Sequence, residues 1–66
     1  MNLKNNFTYH PPKEGQPEKY SNIRDLAHVY AEFLQSNCPQ SRELSIALTK
    51  IEESVMWANA SIARNE

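Results

Sequence analysis

Between Leu44 and Ile62 the apolar residues Leu44, Leu48, Ile51, Val55, Ala58 and Ile62 step by four, three, four, three and four. Only a helix brings such a series to one side. No glycine or proline interrupts the run. The pattern predicts a helix over about 40–64, starting at Gln40 or Ser41 and roughly 36 Å long at ~1.5 Å per residue. A rod of that length with one apolar edge must find a second surface to cover it.

The chain supplies one candidate. Tyr20, Ile23, Ala27, Tyr30 and Leu34 repeat the same heptad-like spacing, and Leu26 and Phe33 widen the stripe on one side. This predicts a first helix over about 17–36. Pro17 suits a first helical turn, and Glu18 suits the positive end of the helix dipole. Pro39 cannot continue a helix, and Asn37 tolerates a left-handed cap, so Ser36-Asn37-Cys38-Pro39 should end it. With so short a turn the two helices pack antiparallel. Residues 17–66 then form a helical hairpin, and residues 1–16 an extended arm. In the arm, His10-Pro11-Pro12 favours an extended path, and Phe7 and Tyr9, alternating with Thr8, allow a short edge-like strand. Both aromatics are expected to dock on another surface. The fold class is all-α.

One hairpin leaves too much uncovered. Met56, Trp57 and Ala60 lie off the main seam of the second helix, and Ala47, Ser54 and Ser61 make a flank of small residues that permits close approach. A helix apolar on more than one side is buried on more than one side. A chain of 66 residues is also marginal on its own, because a domain this small hides only about 60% of the surface its unfolded form exposes. Disulfides, a metal or partner subunits usually make up the deficit. Cys38 is the single cysteine, and no paired metal-ligand motif is present. A symmetric homo-oligomer is therefore expected, with Met56, Trp57 and Ala60 at its interface.

Charge and composition remove other classes. At a formal net charge of −1 the chain lacks the Lys and Arg excess of proteins that coat DNA or RNA. A small anion needs only one or two arginines per subunit. No signal-peptide-like start and no stretch of roughly 20 apolar residues is visible, and a lone thiol fits a reducing compartment. The expected location is the cytoplasm, with no membrane partner.

No catalytic constellation stands out. Glu52 and Glu53 are adjacent, so on a helix they point about 100° apart and read as a solvated face. Cys38, His10 and His28 carry no sign of a nucleophile triad and make a poor metal set. We expect no enzyme, no cofactor and no metal. The residues that suggest binding are basic and aromatic. Arg24 follows Tyr20 by one helical turn. A guanidinium beside a ring can hold a phosphate and a base, or its stem can simply pack over a core tyrosine. Arg42 opens the second helix beside Ser41, where free N–H groups favour an anion; plain capping by Ser41 with Arg42 exposed is the other reading. Arg42, Ser45, Thr49, Glu52, Met56 and Asn59 form a polar stripe that either lines a pocket between subunits or faces water. His10 is a cap or a ligand contact, His28 a surface or interface residue, and Trp57 an interface plug or a stacking platform.

The string Cys38-Pro39-Gln40-Ser41-Arg42-Glu43, continued by Ala47-Leu48-Thr49-Lys50-Ile51-Glu52-Glu53 and Val55-Met56-Trp57-Ala58-Asn59-Ala60, carries a resemblance. With Tyr9-His10-Pro11-Pro12 and Tyr20 to Arg24, it resembles the hairpin domain shared by bacteriophage anti-CBASS and anti-Thoeris sponge proteins, from about Thr8 to Asn65. Gln40 departs from the pattern, standing where an aspartate would cap the second helix and pair with Glu43. The resemblance implies an immune-evasion protein of the host bacterial cytoplasm. Such a protein sequesters cyclic di- or trinucleotide messengers without cleaving them, as an oligomer, commonly a hexamer. It implies an aromatic stacking on a base, here Tyr9 or Tyr20, and phosphates held by Arg24 and Arg42; His10 in the arm and Ser45 and Thr49 on the polar stripe are added as expected ligand contacts from their own positions. Anti-Thoeris members carry an additional N-terminal portion, which favours the cyclic di- and trinucleotide binders. A sponge for cyclic ADP-ribose isomers is the alternative within the family. A hairpin that docks on another protein, with no nucleotide, is the alternative outside it.

Overall fold

The computed structural model describes residues 1–66. It is all-helical, with three helices and no strand: α1 (Leu3–Asn6), α2 (Gln16–Asn37) and α3 (Arg42–Asn65). The long helices α2 and α3 pack antiparallel, as their matched seams and four-residue connection require.

The ends of α2 and α3 show how the local sequence sets them. Ser41 caps α3, its side chain accepting from the Leu44 N–H at 3.1 Å. The helix therefore begins one residue past Ser41, and Gln40 plays no capping part. At the far end of α2, Cys38 takes an extended conformation and its N–H donates to the Leu34 carbonyl. Asn37 does not adopt the left-handed cap expected of it. It stays helical and donates its side-chain amide to the Phe33 carbonyl at 2.8 Å. The left-handed residue lies instead at the start of α2, where Gly15 has φ 83°, a backbone that glycine adopts without steric cost.

The arm is not extended throughout. Asn2 caps a single helical turn by accepting from Asn5 N–H, and no strand forms at Phe7–Tyr9. The Asn5 side chain donates to the Arg64 carbonyl at 3.0 Å, Lys13 Nζ donates to the Glu66 carbonyl, and His10 Nε2 lies 2.8 Å from the Asn5 carbonyl. The arm thus folds back over the end of α3 through polar contacts, while Phe7 and Tyr9 remain 86% and 80% exposed.

Gln16 is the one fully buried residue. Its Oε1 accepts from Lys13 N–H, and its Nε2 donates to Glu66 Oε1. Glu66 also pairs with Lys19 at 2.6 Å. The hydrogen bond from Lys19, followed by that from Gln16, holds the Glu66 carboxyl below its ordinary value of 4.5. A depressed carboxylate contributes stability above its unfolded value and loses it as pH falls through the folded one. Acidification through that lowered value is therefore expected to loosen this end of the hairpin. Amide exchange across residues 5–16, corrected for intrinsic rates, should accelerate relative to the middle of α3. Equal protection of both regions at low pH would contradict that linkage.

No apolar side chain is fully buried. The hairpin is one helix layer thick, with principal extents of 42 × 26 × 12 Å, so its seam is reached from both faces. Ala27, Ile51 and Val55 form the floor of a groove on each face. Tyr30, assigned to the seam from spacing, is 55% exposed, and Leu26, Phe33, Met56 and Trp57 are exposed by 61–72%.

Candidate functional site

The two faces of the hairpin differ in chemistry. On one, a groove between α2 and α3 is apolar, its walls formed by Leu26 and Tyr30 opposite Ala47 and Ser54. On the other, Arg24, Asp25 and His28 of α2 stand opposite Glu52 and Met56 of α3. The antiparallel register explains the second set, because counting outward from the turn pairs residue 24 with the middle fifties. As a neighbour of Glu53, Glu52 reads as a solvated residue. The hairpin places it, still exposed, on the α3 wall of the groove that Arg24 lines from α2; the polar stripe from Arg42 to Asn59 offers it as a pocket residue, and the register of α2 against α3 adds Arg24 to the same groove.

The three arginines, Arg24, Arg42 and Arg64, take no part in the ion pairs of the chain. Those join Lys19 to Glu66 and Lys50 to Glu53 at 3.4 Å, while His28 Nε2 lies 2.8 Å from a Glu32 carboxylate oxygen. A planar guanidinium free of carboxylates keeps its fork available for a phosphate. Arg24 lies in the groove, and Tyr20, one turn before it, is half-buried outside the lining of that groove.

The remaining candidates divide by position. Tyr9 and His10 sit at the open end of the hairpin, near the start of α2 and the end of α3. The His10 contact with the Asn5 carbonyl requires a proton on Nε2, so this nitrogen donates and closes the last turn of α1. Arg42, Ser45 and Thr49 line a shallow groove with Ile46 and Lys50 near the turn. There, Ser45 Oγ donates to the Ser41 carbonyl at 3.2 Å and Thr49 Oγ1 to the Ser45 carbonyl at 2.9 Å. Both hydroxyl protons are engaged by the helix itself, which leaves lone pairs facing outward. Arg42 is exposed beside the capping Ser41. Fourteen residues of helix separate Arg42 from Met56, the residue facing Arg24, a rise of roughly 20 Å. One chain therefore presents Arg24 and Arg42 at separate places. Met56, Trp57 and Ala60 line a fourth groove with Glu53 and Arg64 along the outside of α3.

A hairpin of this register, with unpaired arginines and wet seams, is matched over residues 1–63 by the family described as Acb2/Tad1, hairpin domain. The chain belongs to the Acb2/Tad1 hairpin family. This family is one of phage anti-defence sponges, sequestering proteins rather than enzymes. The match includes the arm, which the resemblance drawn from Thr8 onward left out in part. No curated protein and no solved structure matches the chain. No helix of this Acb2/Tad1 hairpin is long and apolar enough to cross a membrane.

Proposed function

We propose that this Acb2/Tad1 hairpin binds and sequesters cyclic di- or trinucleotide messengers in a symmetric homo-oligomer, without cleaving them. The observation that carries the reading is Arg24, a guanidinium with no carboxylate partner standing in the groove between α2 and α3 of a chain from a sponge family. A cyclic dinucleotide has a two-fold axis and a cyclic trinucleotide a three-fold axis. Placed on the matching axis of an oligomer, the ligand meets the same arginine two or three times. A chain with one negative charge overall then gathers enough positive charge at one point to hold a polyanion.

Assembly also brings together what one chain separates. The Arg24 groove of one copy and the Arg42, Ser45 and Thr49 surface of another can border a single cavity, with Tyr9 or Tyr20 available to stack on a base. The apolar face bearing Leu26 and Tyr30, together with Met56, Trp57 and Ala60, supports the oligomer. Six copies is the family-based expectation.

The test is a thermal-shift panel of cyclic dinucleotides, cyclic trinucleotides and cyclised ADP-ribose. A saturating cognate ligand stabilises by about 3–4 kcal/mol at 100–1,000 times its Kd, and heating should release it chemically unchanged. Recovery of linear products would replace sequestration with catalysis. A shift with cyclised ADP-ribose alone would move the messenger class. No shift with any nucleotide would favour a hairpin that docks on protein.

A further inference from the structure

The groove that holds Arg24 also holds a carboxylate that nothing in the chain neutralises. Glu52 projects from α3, on the wall opposite Arg24, and neither forms an ion pair. The other groups of the groove are spoken for or sit beside the arginine. His28 is engaged by Glu32, and Asp25 follows Arg24 directly on α2. An unpaired cation and an unpaired anion on the two walls of one groove suit a ligand that carries both complements, an anionic phosphate and, on the far side of its base, a hydrogen-bond-donating edge.

We infer that Glu52 is the base-reading residue of the groove and selects guanine-containing cyclic dinucleotides, a conclusion that rests on the sponge reading above. A carboxylate is acceptor-only when ionised and has two oxygens to offer. The Watson–Crick edge of guanine presents two adjacent donors, the N1–H and the exocyclic N2 amino group, and meets both oxygens at once. Adenine presents an N6 donor beside the N1 lone pair, which a carboxylate repels. With the phosphate on Arg24, the wall across the groove is formed by Glu52 and Met56 of α3, an acceptor and an apolar flank for a base laid toward it. On a two-fold axis each copy supplies one arginine and one glutamate, matching the two phosphates and two bases of the ligand.

The experiment titrates cyclic di-GMP, the mixed GMP–AMP ring and cyclic di-AMP into the native protein and into the Glu52→Ala and Asp25→Ala variants. Because Glu52 is exposed and alanine favours helix, circular dichroism should show both variants folded. Removing either negative charge strengthens every ligand near the phosphates, so the readout is the ratio of affinities between ligands. One good bidentate base contact discriminates by about 1–3 kcal/mol, so the native protein should lose roughly tenfold in affinity for each guanine replaced by adenine. Glu52→Ala should bring the three ligands within about threefold of one another, whereas Asp25→Ala should keep the ranking. A native protein that binds the three equally, or a guanine preference that survives Glu52→Ala, overturns the assignment while leaving the sponge intact. Uptake of none of the three, with a shift by trinucleotides, cyclised ADP-ribose or nothing, overturns the assignment through the ligand class on which it rests.

Discussion

Replacing Ile51 by alanine is expected to destabilise the assembled protein by about 3 kcal/mol per chain, the cost of truncating a residue inside a packed core. Ile51 sits on the seam floor and is reached from both faces of the hairpin, partly exposed on each. In a lone chain its side chain already touches water, and losing three carbons there would cost well below that figure. If another copy covers the apolar groove, the same truncation opens a cavity that solvent cannot fill from that face. The size of the loss therefore reports what lies over the seam. Urea denaturation of native and variant protein at one chain concentration measures it. A loss under about 1 kcal/mol would mean that the seam stays wet in solution.

Arg24→Ala is expected to remove nearly all messenger binding while leaving the fold and assembly unchanged. The guanidinium has no ion-pair partner in the chain, so its removal strands no buried charge. A charge-assisted hydrogen bond contributes about 1.5–3 kcal/mol. A ligand on a two-fold axis meets two copies of the residue, so the loss is about 3–6 kcal/mol, on the order of a hundred- to ten-thousandfold in Kd. Calorimetric titration of native and variant protein provides the comparison, with sedimentation as the control for assembly. Arg24→Ala binding within a few-fold of the native protein would shift the phosphate contact elsewhere, with Arg42 and Arg64 the remaining unpaired guanidiniums.

The hairpin itself was legible because its information is local and repeated. Five consecutive steps of three and four in α3, and four in α2, leave no alternative to helices, and Pro39 places the break. Details that depend on a single side chain or on tertiary contact were less legible. Ser41 and Gln40 are neighbours, and only the hydrogen bond to Leu44 shows which one caps α3. The turn at Leu3–Asn6 has no periodicity to announce it. Its support includes the Asn2 cap and an Asn5 contact to a carbonyl 59 positions away. Tyr30 carried the seam spacing yet stands on the rim of the α2–α3 groove, 55% exposed, because a two-helix contact is narrower than a heptad stripe.

The site divided along the same line. Arg24 stood out from its own helix, as an arginine one turn after an aromatic. Glu52 was legible only as a member of the polar stripe, because its place in the groove with Arg24 arises from the other helix and appears once α2 and α3 are set in register. Arg42, Ser45 and Thr49 were legible as one stripe. Their separation from Arg24 along the rod follows from the length of the hairpin, which keeps the two sets at separate places on one chain.

The central claim is that a rod pair only 12 Å thick across its Cα atoms, without a single fully buried apolar residue, holds its fold by clasping copies of itself. Sedimentation and circular dichroism across a dilution series test it together. Helix content should fall in step with dissociation, with no folded single chain at any concentration. A species of one chain mass that keeps its full helical signal at high dilution would contradict it.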